Sequence, residues 1–140
     1  MAEVFAGLLC GYALALIATP VVAVALVRAR VSNPAVARVM PAGTSLAALS
    51  IVLHTFAFLG FTAAGMLLGL LLNGIESNSP EGGLGSPNRL FTIVVIAIAA
   101  IAVLPIAAVL PRLRRPLLAS GLLFAGVFGW LMPWLATLGD

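Results

Sequence analysis

His54 is the one imidazole in the chain, and Ser50 stands one helical turn before it. At that spacing a hydroxyl and an imidazole on one helix can touch, which is the minimum for a nucleophile and its base. A base must in turn be oriented by a third group. No carboxylate lies in the same apolar stretch, so the pair reads as a polar contact rather than a dyad. The chain is accordingly expected not to be an enzyme. Cys10 is the single cysteine; it excludes an intrachain disulfide and a multi-cysteine metal site. It reads as a small packing residue, and no metal site is expected. His54 keeps three readings. It is a neutral imidazole bonded to a neighbouring helix with Ser50 or Thr55 helping, an axial ligand to a haem or chlorophyll-type pigment, or a proton relay or pore-lining group.

All eleven charged side chains fall outside the apolar runs: Glu3, Arg28, Arg30, Arg38, Glu76, Glu81, Arg89, Arg112, Arg114, Arg115 and Asp140. Proton- and cation-coupled transporters keep an ionisable group at membrane depth, and here only His54 could serve. In size and in its four apolar runs the chain resembles the small multidrug exporters in outline. Their first-span glutamate has no counterpart here beyond Glu3 at the helix edge, so nothing of that family is carried onto these residues. Asn33-Pro34-Ala35 matches the signature tripeptide of aquaporins, but it occurs once and beside three arginines. It reads instead as a helix N-terminus with proline in the first turn.

The elements that hold these residues follow from composition. With 63% hydrophobic and 8% charged residues, the chain could not clothe a soluble domain of its length. The expected fold is an all-α integral membrane protein, one domain over 1–140, with four transmembrane helices in an up-down bundle. The spans are about 4–27, 44–72, 91–110 and 117–138. Each is close to the ~20 apolar residues that cross a hydrocarbon core. Pro20 and Pro105 lie inside the first and third. Around them a weak parallel duplication can be traced, Pro20 to Arg30 against Pro105 to Arg114. The Gly-, Ser- and Pro-rich stretch 73–90 reads as a solvated loop. The lack of an early Arg or Lys predicts that the first span is not a cleaved signal peptide.

Arginine placement sets the expected orientation. Arg28, Arg30 and Arg38 follow the first span, and Arg112, Arg114 and Arg115 follow the third, with no acid among them. The positive-inside rule makes these two loops cytoplasmic and leaves both termini on the outer side. The basic residues are thus topology signals, and nucleic-acid binding is not expected. The absence of lysine suggests a prokaryotic source and a multi-pass place in its cytoplasmic (inner) membrane.

Small residues recur at helical spacing on three spans: Gly7 and Gly11, Gly65 and Gly69, and Gly121, Ala125 and Gly129. Lipid gives helices little hydrophobic drive to associate, so close backbone approach through small residues must supply it. These faces serve either the chain's own bundle or partner subunits. The leading expectation is an accessory or structural subunit of a larger membrane complex, packing through those faces. Two alternatives stand beside it. One is a small homo-oligomeric channel or transporter for a neutral or hydrophobic solute. The other is a haem- or pigment-binding subunit of an electron-transfer or light-harvesting complex, with His54 as ligand. The expected partners are the lipid bilayer and other membrane subunits, or further copies of this chain.

Overall fold

The computed structural model describes residues 1–40, 43–78, 88–109 and 114–138. Its elements are α1 (Ala2–Ser32), α2 (Pro34–Val39), α3 (Leu46–Asn78), α4 (Arg89–Val109) and α5 (Arg114–Gly126). A π-helical turn over Val127–Leu131 then leads directly into α6 (Met132–Thr137). Among the described residues there is no strand. Among the described residues, four stretches are long and apolar enough to cross a membrane: Ala2–Ser32, Leu46–Ile75, Arg89–Ala108 and Arg114–Thr137. They suggest a multi-pass membrane protein. Pro20 and Pro105 sit inside unbroken helices.

α1 overruns its apolar run at both ends, and α3 overruns its own at the C-terminal end. At about 1.5 Å per residue, α1 is about 46 Å long, against a hydrocarbon core of about 30 Å. Residues 73–78, expected as loop, continue α3, and Ile75 packs on the core. An apolar run marks the hydrocarbon, whereas a helix stops only where its backbone finds other partners. Capping places two of the starts. Ser45 Oγ accepts from Ala48 N–H at 3.1 Å, and Asn88 Oδ1 accepts from Phe91 N–H at 3.1 Å, each satisfying an otherwise orphaned donor of the first turn. Asn33 is extended (φ −128°, ψ 111°), as the residue before a proline prefers, and α2 begins at Pro34. Gly43 turns the chain toward α3 with φ +102°, a conformation open to a residue without Cβ.

α1 and α3 run antiparallel in backbone contact. A Cβ on Gly7 would collide with the Gly65 carbonyl, and one on Gly65 with the Gly7 carbonyl. Gly11 lies on the Phe61 carbonyl and on Thr62 Cα, and Gly69 on Glu3 and Val4. The pairings 3 with 69, 7 with 65 and 11 with 61 form one seam without side chains in it. α4 and α5 form a second antiparallel pair of softer contacts. A Cβ on Gly121 would meet Val103 Cγ2 at 3.1 Å, and one on Gly129 would meet Val95 Cγ1 at 3.5 Å. The outward faces carry large apolar side chains, among them Ile51, Leu59, Leu67, Ile93 and Ile101.

The two pairs join at one end only. Phe91, Phe128, Leu72, Met132 and Val95 are fully buried there, with Ala6, Cys10, Leu14 and Leu68 around them. Those residues come from the first half of α1, the second half of α3, the start of α4 and the last turns of the chain. The π turn and Pro133 shape this end. Proline lacks the N–H that would bond the carbonyl four residues back, and the Gly129 carbonyl accepts instead from Thr92 Oγ1 of α4 at 2.6 Å.

The glycine seam makes a contrast available within one helix. Gly7→Ala or Gly65→Ala should destabilise the fold by about 1–3 kcal/mol, the usual range for forced overpacking. Gly60→Ala, on the same α3 but with open space where its Cβ would be, should be neutral or slightly stabilising. Unfolding in mixed micelles, followed by circular dichroism, measures all three.

Candidate functional site

Two features of the fold could do chemistry or bind a ligand, and Thr19 belongs to both. It is a buried polar side chain in an otherwise apolar helix, 7% exposed. Its hydroxyl lies 2.7 Å from the Ala15 carbonyl and 3.1 Å from His54 Nδ1 across the α1–α3 seam. A hydroxyl has one proton to give. The Ala15 carbonyl can only accept. When Thr19 donates there its oxygen accepts from Nδ1–H, and when Thr19 donates to Nδ1 the ring proton sits on Nε2, so the roles in this bond follow the tautomer. Nε2 has no partner among the described residues.

Sequence spacing pairs His54 with Ser50; the structure pairs it with Thr19. Ser50 makes no hydrogen bond to the ring, and Thr55 Oγ1 donates to the Ile51 carbonyl of its own helix at 3.0 Å. His54 also stands 6.3 Å, centroid to centroid, from Phe58, which meets Tyr12 edge-on at 5.9 Å. Thr19 could have been singled out from sequence as the polar residue preceding Pro20. Its match with His54 could not, because it depends on the register of α1 against α3.

The second feature is a cleft where the two helix pairs part. A cavity of about 490 Å³ lies between α1 and α3, bounded by Ala18, Val22, Leu53, Ala57 and Gly60, with Thr19 at its wall. A second, of about 320 Å³, lies toward α4 and α5 along Ala102, Val103 and Ser120. Ala18, Phe61 and Phe124 line both, so the two adjoin as halves of one groove, with the Phe61 and Phe124 side chains standing between them. Its walls are apolar apart from Thr19 and Ser120. His54 is not among them, though its partner Thr19 is.

The remaining sequence-derived positions fall as follows. Gly7, Gly11, Gly65 and Gly69 form the α1–α3 seam, and Gly121 and Gly129 face α4. Ala125 lines a smaller cavity between α4 and α5. All three small-residue faces are therefore engaged inside the chain's own fold. Arg28, Arg38, Arg114 and Arg115 are exposed and Arg30 is half-buried, all at the end where the pairs part. Arg112 lies outside the described residues.

This geometry defines an all-helical protein with four apolar helices of spanning length, in two antiparallel pairs around a groove. Comparison with family models, with curated proteins and with solved structures finds no match.

The pairing makes a direct prediction. In 15N spectra of the protein labelled at histidine, the Thr19 bond should make one neutral tautomer of His54 predominate over the other. Thr19→Val should abolish that preference and cost about 0.6 kcal/mol, the average for a hydrogen bond between membrane helices. Ser50→Ala should leave the tautomer unchanged.

Proposed function

We propose that this is a multi-pass protein of a cytoplasmic membrane that binds an apolar molecule arriving sideways from the bilayer and serves as its carrier or passage. The four spanning stretches form an up-down bundle, with the arginine-bearing end in the cytoplasm and both termini outside. The arginine distribution supports that orientation. The observation that carries the binding role is the groove made of two adjoining cavities with almost wholly apolar walls, about 490 Å³ along α1 and α3 and about 320 Å³ between the helix pairs. Ligand sites are concave, mostly apolar and of this size class. Water gains little in such a space, because it finds few polar partners there. A hydrocarbon chain or a flat apolar solute loses nothing by entering.

A different observation favours the accessory-subunit reading. His54 is half-buried and meets Thr19 through Nδ1, which leaves Nε2 for a polar group of a partner helix. A haem or pigment metal could instead take Nε2 in the tautomer whose proton is on Nδ1. The small-residue faces do not serve this reading, since they already lie inside the chain's own packing.

Gly60 gives the test, because a side chain added there enters open space beside the groove. In proteoliposomes, Gly60→Trp should abolish the uptake or quenching of an apolar fluorescent probe that the parent protein supports, with the fold intact. Equal probe behaviour in both proteins and in empty vesicles would remove the binding reading. Native mass spectrometry after gentle release separates the alternatives: other polypeptides in the particle favour the accessory subunit, and a Soret or pigment band the cofactor.

A further inference from the structure

Resting on the groove as the binding site, we infer that its occupant is an anionic lipid, one acyl chain lying in the groove and the phosphate held by arginines at the open end. The apolar walls select a hydrocarbon tail but say nothing about a head. The head is specified by what lies further along the same helices. Arg28 and Arg30 follow Val22 on α1 by six and eight residues, about 9–12 Å at the α-helical rise. Arg114 and Arg115 precede Gly121 on α5 by seven and six residues, about 9–11 Å. Both pairs therefore lie about one turn and a half to two turns beyond the groove residues of their own helices, at the open end.

The charge there is one-sided. Arg38 on α2 adds to it, whereas Glu3 and Glu76 belong to the opposite end of the molecule, beside the joined core. The groove's depth suits this arrangement. Phe61 and Phe124 lie between its two halves, and the fully buried Phe91 and Phe128 close the bundle beyond them. A chain entering from the arginine end thus runs down the groove and stops at the joined core, with its head among cations. Guanidinium groups suit that head, since they grip phosphate with paired N–H donors. The side opening between the pairs lets a double-chained lipid leave its second tail in the bilayer.

The test uses nanodiscs containing the full chain and a photoreactive phosphatidylglycerol or phosphatidylcholine, the reactive group in each placed at mid-chain. Crosslinks to Phe61, Ala57 or Phe124 from the anionic lipid, with the neutral lipid labelling these positions far less, would support the inference. The double variant Arg114→Gln, Arg115→Gln should lower anionic labelling there about thirtyfold, from the pull of two arginines near a charged surface. Both residues are exposed, so the fold should be kept. Equal labelling of the groove by both lipids, or no effect of the double variant, would overturn the anionic head while leaving an apolar groove. No groove labelling by either lipid would overturn the groove reading as well. Gly60→Trp, which adds a large side chain at the groove wall away from the arginines, should reduce the groove crosslinks and leave labelling of the outer helix faces unchanged.

Discussion

Backbone contact between α1 and α3 is the constraint on which the rest of the molecule depends. Where the surrounding medium is itself hydrocarbon, two helices gain little by hiding leucines from it. They gain by packing more closely to one another than lipid can pack to either. Gly7 against Gly65 provides that approach, and Gly11 and Gly69 extend it along the seam. Dispersion attraction is small per atom pair and falls off steeply with separation, so a seam without side chains brings the most atoms into range. Once the axes are this close, the register is fixed, and Thr19 comes opposite His54. The polar pair is a consequence of the glycine seam rather than its cause.

The second pair is held differently. Its glycines meet valine side chains instead of backbone, and its polar link runs from Thr92 to the carbonyl that Pro133 cannot serve. The π turn just before Pro133 inserts one residue into the helical phase. The stripe Phe124, Phe128, Met132, Ala136 can then face the first pair while Gly121 and Gly129 face α4. Strong joining at that end and none at the other leaves the groove. Its existence therefore follows from where the large buried side chains lie, in the half of the molecule away from the arginines.

Much of this could be read from residue order. The apolar runs gave the four helices, Pro34 gave the short helix after α1, and the glycine spacings gave the faces that pack. The partner of each face was not legible, since Gly7 is as compatible with Gly121 as with Gly65 until three-dimensional register decides. The bond from His54 to Thr19 was hidden for the same reason, and Ser50 was the nearer candidate only along the chain. The groove was hidden more deeply. It is a property of space between helices, and the alanines and phenylalanines lining it do not differ from those that fill a core. The π turn left a trace in Pro133, but proline in a helix has several outcomes.

The seam also bears on the order in which the chain assembles. α1 and α3 are neighbours in sequence, joined by a short link containing α2, and their contacts involve nothing beyond Asn78. That pair can close while the remainder of the polypeptide is still being made, as contacts of short sequence separation form early. The second pair then docks onto a finished surface, bringing Phe128 onto Gly65 and Met132 onto Gly7. Synthesis would thus pass through a half-length intermediate whose Gly7–Gly65 seam is already shut, and whose exposed apolar strip is later covered by the start of α4, the π turn and α6.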